Sequence, residues 1–453
     1  MSFLQESRII KIKQELRKAS TARRPRRGPG LNCLVLGGGG REYAIAWRLA
    51  RSDGVSDIDV VPGNPGVALF ATVRDYAPND VARLQQHVAA AQIDLAIVGP
   101  DELIEQGIAD ALRRGSIAVV GPSRAAAQIE WSKTFAKELM TETGVPCARW
   151  ETFSSAEAAK NAIDRNKWRP PLVVKADGLA AGKGVTVCRD LDEARVALGT
   201  PPTNSGRVVF EEVLAGEEAS LQAIVDGETV VALPPARDYK RVGDGDTGPN
   251  TGGMGAVSPT TVVPDAEAQG LAGELIAPIA RALVQRGTPF RGVIFAGLMK
   301  TRDGFRVLEY NARFGDPEAQ VVLPRIGGDF AKLMLALGEG RLAEHMRGHP
   351  LRMSQRAFVD VALCAEGYPS APKTGALITG LDRLPDGVYA FHAGTKVAPS
   401  GAFLVGGGRV VHIVAGGATV DEARERAYIG AEAVQFEGKF YRSDIARGEV
   451  AVA

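Results

Sequence analysis

Short apolar runs that each end in a Gly/Pro turn, and that alternate with helical stretches, restrict the fold of this chain more than any other feature. The run Leu31-Asn32-Cys33-Leu34-Val35-Leu36 reads as a buried strand and the glycines Gly37, Gly38, Gly39 and Gly40 as a turn. A helix follows over residues 41–51, with Ile45 and Leu49 on one face and Ala46 and Ala50 beside them. Further strands at Ile58-Asp59-Val60-Val61, Leu95-Ala96-Ile97-Val98 and Ile117-Ala118-Val119-Val120 run into Pro62-Gly63-Asn64-Pro65-Gly66, Gly99-Pro100 and Gly121-Pro122. Strands alternating with helices predict a parallel, doubly wound α/β sheet, whose ligands bind beyond the strands' carboxyl ends. Those turns are therefore candidate site loops.

A second α/β region begins near Glu130 and holds the strand Leu172-Val173-Val174-Lys175, a loop of small residues, and the strand Gly184-Val185-Thr186-Val187-Cys188. Beyond a Gly-rich loop at residues 243–255, one helix is expected over 266–286, then strands at 293–299 and 304–309. A third region, from Ala357 onward, alternates strands (residues 358–363 and 410–414) with a helix opening at Thr419-Val420-Asp421-Glu422, a capping-box pattern. With 453 residues there is room for several such units.

Charge and cysteine usage narrow the function classes. Residues 1–30 carry nine Lys or Arg against two acids, while the whole chain has a net charge of +1. The body that remains is acidic, which argues against nucleic-acid binding. The basic segment reads as a disordered extension. No apolar run approaches the roughly 20 residues that span a bilayer, so a soluble protein is expected. The cysteines Cys33, Cys147, Cys188 and Cys364 have no C-x-x-C spacing and suit a reducing compartment. His345 and His349, beside Gly348 and Pro350, read as a solvated loop rather than a metal site.

Three stretches carry chemistry. The cluster Gly37-Gly38-Gly39-Gly40-Arg41-Glu42 joins a strand to a helix, where backbone N–H groups and the helix dipole favour a phosphate. It is neither a dinucleotide fingerprint, since Glu42 replaces the third glycine, nor a P-loop. In Lys175-Ala176-Asp177-Gly178-Leu179-Ala180-Ala181-Gly182-Lys183-Gly184 a lysine ends an apolar strand and small side chains let backbone amides close over phosphates. In Val307-Leu308-Glu309-Tyr310-Asn311, residues two apart share a strand face, so Glu309 and Asn311 offer a carboxylate and an amide oxygen suited to Mg²⁺, with Arg313 a planar cation just beyond. Residues 238–255 pack Lys240, Arg241, Asp246 and Asn250 among glycines; a loop this long inside a domain is expected to be an ordered substrate loop.

Together these motifs resemble the phosphoribosylamine-glycine ligase family of the ATP-grasp superfamily over nearly all of residues 31–453. The matching stretches are Gly39-Gly40-Arg41-Glu42, Pro62-Gly63-Asn64, Ser132-Lys133, residues 175–185, Gly216-Glu217-Glu218-Ala219-Ser220, residues 240–255, residues 311–318 and Phe391-His392-Ala393-Gly394-Thr395. The resemblance implies a doubly wound amino-terminal domain (31–131), an ATP-grasp region (132–352) with a small lid at about 152–222, and an α+β carboxyl-terminal domain (353–453). It implies ligation of glycine to phosphoribosylamine through an acyl phosphate, with ATP and Mg²⁺ (or Mn²⁺), in a cytoplasmic protein that is a monomer. On this pattern Lys133, Lys175, Gly182, Lys183 and Gly184 meet ATP phosphates, Glu211 and Val213 form the adenine hinge, and Glu218 holds the ribose. Glu309 and Asn311 bind the metal, Arg313, Lys240 and Asp316 serve catalysis, and Gly39, Gly40, Arg41, Glu42, Asn64, Asp101, Asp246, Asn250 and Thr251 meet the other substrates.

Four positions depart from the family pattern. Tyr43 and Tyr239 stand where histidine is usual, Val257 stands where tyrosine is common, and Asp101-Glu102-Leu103-Ile104 lacks the usual proline. They leave open a second reading, a paralogous ligase for a different amine or carboxylate. A nucleotide-binding module without turnover is a third, opposed by the missing third glycine and the intact Glu309/Asn311 pair.

Overall fold

A computed structural model describes residues 30–179, 184–202 and 206–449. The first sheet is parallel, with strands β1 (Leu31–Gly37), β2 (Val55–Pro62), β3 (Thr72–Val73), β4 (Leu95–Val98) and β5 (Ala118–Val120) in the order β3-β2-β1-β4-β5. The order reverses between β1 and β4, so the crevice that such sheets use for ligands lies at the ends of these two strands. Helix α1 (Gly40–Leu49) starts there.

The strands β6 (Trp150–Phe153), β7 (Leu172–Ala176), β8 (Val185–Cys188) and β9 (Val208–Glu212) form a separate antiparallel sheet, ordered β6-β9-β7-β8. Its small core of Phe153, Trp168, Leu172 and Phe210 is its own. The strands that follow divide between two sheets. β10 (Glu217–Asp226) and β11 (Thr229–Ala232) join β16 (Arg291–Thr301) and β17 (Gly304–Asn311), whereas β12 (Arg237–Asp238) and β15 (Gly255–Ser258) join β18 (Ala357–Cys364), β19 (Val388–His392) and β22 (Arg409–Gly417). Residues 237–258 thus supply two strands, β12 at the edge and β15 beside it, to the sheet of the third region. Two hairpins stand apart: β13 (Arg241–Gly243) with β14 (Thr247–Asn250), and β20 (Thr395–Val397) with β21 (Phe403–Val405).

Several local expectations change. The stretch 238–255 is ordered, as expected, but as strands and a hairpin rather than as loop. The single helix expected over 266–286 is two, Ala268–Leu275 and Ala277–Gln285, because Pro278 has no N–H to continue the first helix and sits at the start of the second. His345 and His349 lie on and just past the helix Leu342–Gly348, one turn apart with rings stacked 4.9 Å between centroids, not in a loop. Thr419 caps its helix as its sequence suggested: its hydroxyl accepts from Glu422 N–H at 3.1 Å, while Glu422 reaches Ala418 N–H rather than that of Thr419. The four cysteines are free thiols. Among the described residues, no helix is long and apolar enough to cross a membrane.

Candidate active site

The end of β17 forms the floor of the site. Val307 and Tyr310 point into the core, and Glu309 and Asn311 lie half-buried on the other face. A register slip opposite Gly297 and Leu298 explains why residues 307 and 310, three apart, share the buried side. Asn311 Oδ1 accepts from Arg313 at 3.0 Å, and the same guanidinium lies 3.1 Å from Glu130, whose other oxygen accepts Ala312 N–H at 2.8 Å. Burial pulls the Glu309 carboxyl upward, but Lys240, Lys175, Lys133 and Arg313 outweigh it and hold the group below its usual range. A carboxylate faced by four cations is a wall suited to phosphates.

Lys240 connects this floor to β10. Its ammonium is 2.8 Å from Glu218 and 3.6 Å from Asp238. Burial alone would lower it, yet Asp238, Glu218 and Glu309 hold it well above its ordinary value. Nearby, Ser220 donates to Glu318 at 2.8 Å, and burial together with Asp238 pushes Glu318 up to about 7.

The lysines on the opposite wall come from two elements. Lys175, on β7, is 2.7 Å from Glu211 of β9 and donates to Leu308 C=O at 3.3 Å. Lys137, from helix α2 (Lys133–Thr143), takes the other Glu211 oxygen at 3.0 Å. Lys133 donates to Gly178 C=O at 2.9 Å. Asp177 fastens the start of α2 to this loop, accepting from Thr134 N–H at 3.2 Å, Thr134 Oγ1 at 2.8 Å and Ser132 Oγ at 3.3 Å. Gly184 continues the loop, its C=O accepting Ala176 N–H at 2.8 Å. Val213, just past β9, is exposed. Gly182 and Lys183 lie outside the described residues, as does the basic segment before Gly30.

The turn before α1 forms a third wall. Glu42 accepts Gly39 N–H at 2.8 Å and Arg41 Nε at 2.6 Å, and Arg41 reaches Phe314 C=O at 3.3 Å. Gly99 is needed beside it, since a side chain there would collide with Glu42. Asn64 donates to Gly38 C=O at 3.0 Å and to His392 C=O at 2.9 Å. Asp316 faces the same turn. Burial opposes its charge, but Arg409 at 2.9 Å, His412 and Arg41 hold it far below the usual carboxylate range. Asp101 opens the neighbouring helix Asp101–Glu105, where its charge acts on Arg41 and Glu130.

The substrate loop divides. Thr251 donates to Lys240 C=O at 2.9 Å and so braces that lysine, and Asn250 sits opposite Arg241 in the hairpin. Asp246 instead pairs with Arg442 at 2.7 Å and lines a separate cavity of about 340 Å³ with Tyr239, Arg237 and Asp444. Sequence reasoning did not find Lys137, Glu130, Asp177 or Arg409. Two of them had a local signal: Lys137 lies one helical turn from Lys133, and Asp177 lies within the Lys175–Gly184 stretch.

The departures from the family pattern are packing positions. Tyr43 stacks on Phe391 (5.1 Å between centroids) and His392 (5.9 Å) and meets Phe70 edge-on (5.3 Å). The Tyr239 hydroxyl accepts Ala446 N–H at 3.0 Å beneath the guanidinium groups of Arg237 and Arg442. Val257 is fully buried opposite Val359, and Leu103 and Ile104 belong to the first core. A changed acceptor substrate is therefore not favoured. Tyr239→Phe should cost about 1 kcal/mol of stability, the worth of one hydrogen bond, and leave the KM of every substrate unchanged; a melting curve and steady-state kinetics check both.

Family models described as the N, ATP-grasp (A) and C domains of phosphoribosylglycinamide synthetase match residues 31–130, 131–319 and 358–448. The phosphoribosylamine–glycine ligase of Mesorhizobium japonicum is 42% identical over 421 residues, 92% of this chain and 97% of that one. The Brucella melitensis ligase is 44% identical over 422 residues, again 92% and 97%. The crystal structure of phosphoribosylamine–glycine ligase from Thermotoga maritima superposes with a TM-score of 0.78 at 36% identity, covering 92% of this chain and all of that one. The biotin carboxylase domain of Hydrogenobacter thermophilus 2-oxoglutarate carboxylase, at 17% identity and a TM-score of 0.65 over 91% of this chain and 92% of that one, shares the fold alone.

Proposed function

The chain belongs to the phosphoribosylglycinamide synthetase family, and we propose that it joins glycine to 5-phosphoribosylamine in the cleft walled by β17, Lys175 and the Gly38–Gly40 turn. It is an ATP-grasp carboxylate–amine ligase that forms a carbon–nitrogen bond in purine synthesis. The observation that carries the site assignment is the ionised Glu309 carboxylate, beside Asn311, facing Lys133, Lys175, Lys240 and Arg313.

A glycine carboxylate oxygen attacks the terminal phosphorus of ATP and ADP departs. The phosphoribosylamine nitrogen then attacks the acyl carbon, the bond to phosphate breaks, and a proton is released. Neither step asks the protein for a covalent nucleophile; both ask for alignment and for compensation of charge. Lys133 and Lys175 meet the phosphates as point charges, and Arg313 steadies the acyl-phosphate oxygens. Lys240 and Asp316 hold the reacting ends, the first braced by Thr251. Glu218 takes the ribose of ATP. Since the Glu211 carboxylate is already committed to two lysines, its backbone and that of Val213 serve the adenine.

ATP-grasp ligases use ATP with a divalent ion. Glu309 and Asn311 offer the hard oxygen donors such an ion takes, and magnesium is our choice over manganese. The Asn311 oxygen has a second lone pair to offer beside its bond from Arg313. When bound, the ion offsets the charge on the phosphate oxygens. On the acceptor side, the amides at the start of α1, beyond the Gly39 N–H that Glu42 takes, suit the phosphate of phosphoribosylamine. We assign residues 31–131 to the acceptor, 132–352 to ATP and 353–453 to closing the acceptor wall, in a cytoplasmic monomer.

Labelled glycine, ATP, Mg²⁺ and phosphoribosylamine made in situ test the reading. The expected product is glycinamide ribonucleotide at about 1 per second or faster, with none when any substrate is omitted. ADP release that depends on another amine would instead support the paralogous ligase, and no substrate-dependent release would support a binding module.

A further inference from the structure

Behind the Gly38–Gly40 turn lies a polar pair that the reaction as derived above does not use. Asp360 of β18 and His412 of β22 are both fully buried, and His412 Nδ1 meets Asp360 Oδ2 at 2.8 Å. A carboxylate accepts, so Nδ1 meets Asp360 as the donor and the other ring nitrogen, Nε2, faces away from it. That nitrogen has no hydrogen-bond partner among the described residues, nor have Asp360 Oδ1 and Gln320 Oε1. Buried polar atoms are nearly always paired, and a pair retained only to close a core would complete its bonds.

These groups converge on one backbone position. A Cβ added at Gly40 would sit 2.8 Å from Gln320 Nε2, 2.9 Å from His412 Cδ2 and 3.2 Å from His412 Nε2. The imidazole edge and the amide therefore rest directly on the first residue of α1. Gly39, one residue earlier, is open on its other side: a Cβ there would meet only Glu42 Oε2 at 3.0 Å and Asp316 Oδ2 at 3.8 Å. Gln320 completes the link, donating to Asp316 Oδ1 at 2.9 Å.

We propose that His412, held by Asp360, is a positioning residue of the acceptor subsite: it supports Gly40 from behind and, with Gln320, fixes the start of α1 and Asp316 against a phosphorylated sugar. The inference rests on the proposed function for the identity of that sugar. It does not need turnover to be tested.

Ribose 5-phosphate, which has no amine to react, serves as the probe. Its affinity is measured by calorimetry on the wild-type protein and on His412→Ala, Gly40→Ala and the double variant. ATP binding is measured on each. Either single change should weaken ribose 5-phosphate by about tenfold or more and ATP by less than about twofold. The double variant should recover part of that loss, because the new methyl group occupies space that the imidazole vacates. In turnover, the same variants should raise the KM for phosphoribosylamine and not that for glycine. His412→Asn, which keeps a polar group, replaces His412→Ala if the latter melts early. Unchanged sugar-phosphate binding, an equal loss for ATP, or a double variant as weak as the product of the single effects would overturn the proposal. Wild-type protein that binds ribose 5-phosphate but makes no glycinamide ribonucleotide would overturn the proposed function and leave this inference standing.

Discussion

Replacing Glu309 by glutamine is expected to lower substrate-dependent ADP release by about 10³-fold, the scale on which removal of one charge-organising group acts in a preorganised site. The substitution keeps the shape of the side chain and removes the one carboxylate that Lys133, Lys175, Lys240 and Arg313 share. The amide cannot replace it as an anionic metal ligand, and the site loses the carboxylate that faces all four cations. Global folding should survive, since Lys240 retains Glu218 and Asp238 and Arg313 retains Glu130. A melting midpoint only a few degrees lower, together with the lost turnover, would establish the role. Full activity in Glu309→Gln would mean that the metal and phosphates lie elsewhere.

The second large effect is on stability. Glu211→Gln leaves Lys137 and Lys175 buried without their shared counter-charge, and breaking a buried ion pair from one side costs about 3–5 kcal/mol. Burial opposes the Glu211 charge, but the two lysines outweigh it and hold its pKa below the ordinary value. Lys137 is itself lowered by burial, which Glu211 only partly offsets, as expected where two lysines divide one carboxylate. The sign for pH follows from Glu211. A depressed folded pKa gives stability that is present above the unfolded value and lost as pH falls through the folded one. Denaturant midpoints of wild type and Glu211→Gln should therefore stand far apart at neutral pH and converge as pH falls out of the ordinary carboxylate range and through the lower folded pKa of Glu211. Midpoints that stay equally separated in acid would show that the charge is not what matters.

Much of this arrangement was legible in the sequence, and the parts that were not share a cause. The first sheet could be read because a parallel strand buried on both faces is a near-continuous apolar run, as in β4 and, with Asn32 the one polar residue, in β1. Glu309 and Asn311 could be read because strand alternation fixes which residues share a face, and here the register slip falls before them. The break at Pro278 was hidden by an apolar pattern that continues through both helices. Partners brought from a distance had no local mark: Arg409 meets Asp316 and His412 meets Asp360 only because β22 pairs with β18 behind α1. Tyr43 and Tyr239 misled for the opposite reason. Each is adjacent in sequence to a site residue, Glu42 and Lys240, but successive side chains leave a helix or strand in different directions. Tyr43 turns to Phe391 and Tyr239 to Ala446, so positions that suggested altered specificity are packing.

The most direct test of ligation through an acyl phosphate in this cleft follows an oxygen atom. With both carboxylate oxygens of glycine labelled as ¹⁸O, each turnover should release inorganic phosphate that carries one ¹⁸O, because the bond that breaks lies between the acyl carbon and an oxygen that came from glycine. Unlabelled phosphate accompanying glycinamide ribonucleotide formation would contradict the account.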